Sequence, residues 1–176
     1  MRIIAGTRKG HRIAAPKGRG TRPTSDRIRE NVFNLVGPVD GAYVLDLFAG
    51  TGAMGLEALS RGALAATFVE QDAKSSHVLR ENLEKLRLTG ARIVRDDAVR
   101  ALGSEAAAGR KYDLVLVDPP YDEYDRFAPA LARFLPLVLA EGGLVVLETS
   151  ARTEPELPLA LRTSRTYGNV RVTLFE

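Results

Sequence analysis

The chain of 176 residues contains no cysteine. That excludes disulfides, iron–sulfur clusters, thiolate zinc sites and any mechanism that needs a cysteine nucleophile. Histidine is almost as scarce: His11 and His77 stand far apart and offer no metal-ligand spacing, so no bound metal is expected. No apolar run approaches the roughly 20 residues of a membrane helix, and the opening MRIIAGTRKG lacks the apolar centre of a secretion signal. A cytoplasmic protein away from membranes is the expectation, with a monomer as the default. Internal repeats and low-complexity tracts are missing too. What remains is an ordinary globular composition, 45% hydrophobic and 27% charged, at single-domain length.

The formal net charge of +3 conceals an asymmetry. Residues 1–30 hold nine basic side chains (Arg2, Arg8, Lys9, Arg12, Lys17, Arg19, Arg22, Arg27, Arg29) against Asp26 and Glu30, and the remainder is acidic on balance. A basic arm on a mildly acidic body is the electrostatic footprint of a protein that meets a polyanion such as nucleic acid. The plain alternative is a solvated, charged terminus.

Residues 2–15 read as two short strands, RIIAG and HRIAAP, around a turn at Gly10, forming a basic hairpin. The loop PKGRGTRP follows. TSDRIRENVFNLV then opens a helix with Thr24 or Ser25 as N-cap, Asp26 in its first turn, and Ile28, Val32, Leu35 and Val36 at helical spacing. From residue 43 strand and helix patterns alternate: YVLDLF, AMGLEALSRG, AATFVE, AKSSHVLRENLEKLRL, ARIVR, AVRALGSEAAA, YDLVLVD, a helix around FAPALARFLPLVL that Pro136 is placed to kink, and GLVVLET. The strands are nearly continuous apolar runs, as required when helices cover both faces of a parallel sheet. LRTSRTY and VRVTLFE, joined at Gly168 and Asn169, form a hairpin that leaves the last strand antiparallel to its neighbour. The expectation is an α/β, Rossmann-like doubly wound sheet over residues 21–176, with a basic extension over 1–20.

VLDLFAGTGAMG sets Gly50, Gly52 and Gly55 in a G-x-G-x-x-G pattern between the first strand and its helix. Glycine there lets the backbone turn sharply and lets a cofactor approach the helix N-terminus. A dinucleotide-binding dehydrogenase would show the same pattern. So would Glu70, 20 residues after Gly50, where a carboxylate can accept from both ribose hydroxyls. Asp46 separates the two. It sits inside the strand, where a dehydrogenase keeps apolar residues, and can hold the cationic amino end of S-adenosylmethionine or order the glycine loop; the alternative is a purely structural cap. Asp97 or its neighbour Asp96 is placed to accept from the adenine amino group, a solvated acidic turn being the alternative. Phe48, Ala49, Gln71 and Ala98 flank these positions and complete the expected cofactor contacts.

LVLVDPPYDEYD, residues 114–125, ends a buried strand in an aspartate, two prolines and a tyrosine. An aryl amine is a poor nucleophile because its lone pair is delocalised into the ring, so a catalyst must aim the nitrogen and tolerate the positive charge that develops on it. Asp118 can accept one N–H and the Pro119 carbonyl the other. Pro119 and Pro120 fix that carbonyl's direction by locking φ and removing competing donors. Tyr121 offers a face for a base that has left its stack. The methyl donor is already activated, which agrees with the lack of cysteine and excludes the ring-carbon cytosine methylation that needs a thiolate.

On these residues the chain resembles the class I S-adenosylmethionine-dependent methyltransferases with a D-P-P-Y motif after the fourth strand. RIIAG, TRPTSDRIRENVFN, VLDLFAGTGAMGLEALSRGA and DPPY, in that order, are similar to the bacterial 16S ribosomal RNA guanine-N2-methyltransferases of the RsmD family. The resemblance spans essentially the whole chain and is strongest over 21–63 and 114–121. It implies transfer of a methyl group to the N2 of a guanine in small-subunit ribosomal RNA, within the subunit or an assembly intermediate. It also implies cofactor roles for Arg22 and Thr24, and leaves Arg2, Arg8, Lys9 and Arg12 of the hairpin, with Arg19 behind it, as the RNA clamp. The alternatives are an adenine-N6 or protein-glutamine methyltransferase, since each substrate presents an NH₂ group, or a dinucleotide- or RNA-binding protein without catalysis.

Overall fold

The computed structural model describes residues 1–15, 25–120 and 123–176. Arg19, Arg22, Thr24 and Tyr121 lie outside them. Among the described residues seven strands form one sheet: β1 (Tyr43–Asp46), β2 (Ala65–Val69), β3 (Ala91–Val94), β4 (Tyr112–Val117), β5 (Leu139–Ser150), β6 (Leu161–Tyr167) and β7 (Val170–Phe175). Their order is β3-β2-β1-β4-β5-β7-β6. The first five are parallel, and β7 enters antiparallel between β5 and β6, as the terminal hairpin predicts. The chain winds outward from β1 to β3 and then returns to β4. Beyond the carboxyl ends of β1 and β4 the flanking connections diverge, and such a switch point opens a crevice.

The sheet's two faces carry two separate cores. Val44, Leu114, Leu116, Leu144 and Val146 pack against α1 (Asp26–Val36), α2 (Ala53–Ser60) and α3 (Ala73–Leu86). Leu45, Val115, Val117, Val145 and Leu147 pack against α4 (Ala98–Ala107) and α5 (Tyr124–Val138). The strict alternation along β4 and β5 follows from the two-residue period of a strand, and burial on both faces explains the unbroken apolar runs. Ser25 is the cap of α1, accepting from Ile28 N at 3.2 Å.

Two elements depart from the sequence reading. β5 begins at Leu139, four residues before the expected GLVVLET, because Gly142 (φ +71°) and Gly143 are absorbed as a register shift within the strand. The second departure is at the N-terminus. The expected hairpin keeps one bridge, Arg2 with Arg12, flanked by Ile3 N to His11 O at 2.9 Å and Ile13 N to Met1 O at 3.1 Å. Between them the chain forms a 3-10 turn, Gly6–Arg8, because α2 takes its donors. Ile4 N and Ala5 N give hydrogen bonds to the Glu57 carboxylate at 2.8 and 3.0 Å, and Arg8 N to Ser60 Oγ at 3.0 Å. Ile3 and Ile13 are buried in the same core as β1 and α2, so residues 1–15 are stitched into the body.

Arg29, counted above with the basic arm, has no solvent exposure at all. It pairs with Asp26 at 3.0 Å, lies 3.7 Å from Glu57 and donates to the Arg2 carbonyl. Its charge therefore belongs to the interior, a fate its position in an amphipathic helix does not announce.

Candidate active site

Asp46 ends β1 with its side chain on the α2 side of the sheet. Its Oδ2 accepts from Gly55 N at 2.9 Å, tying the strand across the glycine loop to the first turn of α2. Each glycine of the motif answers a different demand. Gly50 adopts φ +53° and nothing lies within 4 Å of where a Cβ would point, so the loop stays open there. At Gly55 a Cβ would stand 2.3 Å from the Phe68 ring, so helix and sheet could not close. Gly52 caps α2 against Leu79 and, unlike the other expected cofactor positions among the described residues, does not line the cleft.

Glu70, one residue beyond β2, accepts from Gly50 N at 2.8 Å through Oε2 and from Asp72 N at 2.7 Å through Oε1. Two backbone donors thus fix its orientation, and a carboxylate with four lone-pair sites retains capacity for further donors. Asp97 is the N-cap of α4, its Oδ1 accepting from Val99 N at 3.0 Å and Arg100 N at 3.1 Å. Asp96 accepts from Asp97 N at 2.8 Å and pairs with Arg100 at 2.7 Å. Both aspartates face the cleft, along with Gln71 and Ala98. Phe48 is braced from below by Phe127 of α5, edge to face at 5.0 Å.

Asp46 is 4% exposed. Burial pushes its carboxyl up; the Gly55 hydrogen bond pulls it down, and the charges of Asp118 and Glu70 push it up again, to about 7. A buried acid held between other acids and half ionised near neutrality is a site complementary to a cation. The cleft above it measures about 770 Å³, the scale of a whole cofactor.

Asp118, Pro119 and Pro120 follow directly on β4, and they bound two cavities at once. One is the 770 Å³ cleft; the other is a smaller pocket of about 220 Å³, nearer the scale of one ring system, lined also by Tyr124, Asp125 and Thr149. Glu148 is the fourth residue common to both cavities, and the sequence reading passed over it. A signal was present: Glu148 ends the apolar run of β5 as Asp118 ends that of β4. The expected RNA-binding residues divide. Lys9 and Arg12 are exposed, and Arg2 is exposed with Asp26 at 3.5 Å. Arg8 instead turns inward and donates to the carbonyls of Leu86 and Arg87, capping the C-terminus of α3. Among the described residues no acid–histidine cluster could hold a metal ion, and no helix is long and apolar enough to cross a membrane.

A seven-stranded sheet of this order, with a glycine loop at the switch point and an acid-prolines turn opposite, defines a class I S-adenosylmethionine-dependent methyltransferase. A family model described as Conserved hypothetical protein 95 matches residues 1–176, and the chain belongs to that family, the RsmD-type methyltransferases. YlbH of Bacillus subtilis strain 168, provisionally named an rRNA methyltransferase, is 39% identical over 188 aligned positions covering 100% of this chain and 98% of YlbH. Ribosomal RNA small subunit methyltransferase D of Escherichia coli K12 is 45% identical over 122 positions, 69% of this chain but 60% of that protein. Among solved structures, one provisionally titled methyltransferase yhhF, from Escherichia coli, superposes with a TM-score of 0.84 at 35% identity, over 99% of this chain and 96% of that one.

Proposed function

We propose that this methyltransferase modifies small-subunit ribosomal RNA, the substrate class named for its Escherichia coli relative, at the N2 of a guanine, acting as a cytoplasmic monomer. The observation that carries this reading is the shared wall: Asp118, Pro119 and Pro120 stand between a cofactor-sized cleft and a ring-sized pocket. S-adenosylmethionine supplies an electrophilic methyl on a sulfonium. The chain's part is to hold and aim. Asp46, the Gly50 loop, Glu70 and Asp97 receive the cofactor, with Phe48, Ala49, Gln71 and Ala98 completing the wall and Arg22 and Thr24 assigned to its methionine end.

In the pocket, Asp118 accepts one N–H of the target amine and the Pro119 carbonyl accepts the other, so the lone pair is turned toward the cleft. Both acceptors strengthen as positive charge grows on nitrogen, and preorganised acceptors in a dry site lower the barrier by several kcal/mol. After transfer the extra proton leaves the nitrogen, with Asp118 in place to take it. Tyr121 is assigned the stacking face. Lys9, Arg12 and Arg2, with Arg19, are assigned to the RNA backbone.

The test is methyl transfer from labelled S-adenosylmethionine to small subunits that lack base methylation, followed by digestion to nucleosides. Label in N2-methylguanosine is the expected result. Label in N6-methyladenosine would keep the site chemistry and overturn the base; no label in RNA would point to glutamine side chains of proteins.

A further inference from the structure

The three exocyclic amines of nucleic-acid bases differ in what lies beside them. Guanine N2 has a ring N1–H donor next to it. Adenine N6 and cytosine N4 have an unprotonated ring nitrogen, an acceptor, in the same relation. Asp118 and the Pro119 carbonyl grip an NH₂ group in all three alike, so they cannot choose among the bases. Any choice needs a group beside Asp118 that reads the adjacent ring position.

The register of the sheet supplies that group. β4 and β5 run parallel with Leu116 opposite Val146 and Val117 opposite Leu147. One step further along both strands brings Asp118 level with Glu148. Neighbours in parallel register point to the same face, roughly 4.8 Å apart at the backbone. Glu148 is half-buried, anchored from its other side by the pairing of β5 with β7, where it stands opposite the fully buried Val172. It lines both the cofactor cleft and the ring-sized pocket, as Asp118 does.

We infer that Glu148 is the specificity-determining residue of this site, its carboxylate accepting the N1–H of a guanine whose N2 is held by Asp118 and Pro119. The inference rests on the amine-methylation reading above and deepens it. A carboxylate at this position accepts from guanine N1–H but meets the lone pair of adenine N1 or cytosine N3, where acceptor faces acceptor. Two acceptors brought face to face repel, and that mismatch is what allows a polar site to reject a near-isostere strongly. Selection of guanine and orientation of its amine are then separate tasks of adjacent strands.

The experiment uses the full-length enzyme and reconstituted small subunits in which the methylated guanine, once located by the label, is replaced by 2-aminopurine. That base keeps the 2-amino group and lacks the N1 proton. The wild-type enzyme is expected to favour guanine over 2-aminopurine by about 10- to 100-fold in kcat/KM, the scale of one good polar base contact. Glu148→Gln, whose amide can donate as well as accept, is expected to narrow that ratio at least tenfold while S-adenosylmethionine affinity, measured by calorimetry, stays within a few-fold. Equal use of both bases by the wild-type enzyme overturns the inference without any variant. An unchanged ratio in Glu148→Gln overturns it too. Failure of the parent reading is separately visible, because the wild-type enzyme would then form no N2-methylguanosine.

Discussion

Two buried carboxylates, Asp46 at the carboxyl end of β1 and Glu105 near the C-terminus of α4, show opposite electrostatics in one small protein. Glu105 meets Arg92 at 2.6 Å and Arg110 at 2.9 Å and hydrogen-bonds the Tyr112 hydroxyl. Burial pushes its carboxyl up, but the bonds from Arg92 and Tyr112, with the charges of both arginines, more than offset that and hold it below the ordinary range. Among the described residues Asp46 has one backbone donor and two acidic neighbours, and lies near 7. On α2, Glu57 is also met by the chain's own donors, accepting from Ile4, Ala5 and Arg61 and lying beside Arg29. The acids that hold the fold together are met by cations of the chain itself, whereas among the described residues the acid at the switch point has acids for neighbours, the arrangement the proposed cationic ligand would complete.

That contrast breaks most visibly at Asp118. Asp118→Ala is expected to lower single-turnover methyl transfer by about 10³-fold while S-adenosylmethionine binding stays within a few-fold. Loss of both together would put Asp118 among the structural acids instead. The converse holds for Glu57. Glu57→Ala removes one of the two acids beside the buried guanidinium of Arg29, takes the partner of Arg61, and frees two backbone donors of the N-terminal segment. An urea midpoint corresponding to a loss of about 3 to 5 kcal/mol is expected. A change below 1 kcal/mol would mean that the network relaxes onto water and is not a strut.

How far these roles can be read from sequence follows from the same contrast. The alternating sheet, its antiparallel end and the glycine loop are local patterns: unbroken apolar runs, glycines at fixed offsets, DPP directly after a strand. Asp46 and Asp118 stand out because a polar residue interrupts an apolar strand. Glu148 carries that signal as well, but its meaning depends on β5 lying next to β4, which only the register reveals. Arg29 and Glu57 look like surface charges on amphipathic helices, and Arg8 like part of a basic patch. Their burial and capping come from contacts between segments more than 25 residues apart in sequence, such as Arg8 with Leu86, and no local pattern encodes those.

The Asp46 side of the comparison sharpens with pH. Its folded-state pKa is raised from 3.8 to about 7, so the unliganded protein binds an extra proton in this window. Its contribution to stability is full below about 4 and is lost as the pH rises through 7. A cationic ligand prefers the ionised form, so S-adenosylmethionine affinity moves the other way. It is expected to tighten as the pH is raised from 6 to 8, by close to tenfold per unit below 7 and levelling above it, with a proton released on binding. Calorimetry in buffers of different ionisation enthalpy measures that proton directly. Asp46→Asn should flatten the profile; an undiminished slope in the variant would assign the titration elsewhere.

The smallest expected effect separates two kinds of cation in the N-terminal segment. Lys9 and Arg12 are exposed, whereas Arg8 caps α3 through the carbonyls of Leu86 and Arg87. If the exposed pair contacts RNA phosphates, removing both charges (Lys9→Ala with Arg12→Ala) should weaken subunit binding. It should also reduce the slope of log affinity against log salt by about 0.7 to 0.9 per charge, with thermal stability unchanged. Arg8→Ala should do the reverse, lowering the melting temperature by a few degrees with little change in the salt slope, because its guanidinium faces a helix end. Should all three substitutions flatten the slope alike, the cap must open on RNA binding and Arg8 must swing outward. If none does, the phosphates are held by other residues, and of these cations Arg8 serves only to anchor the segment to α3.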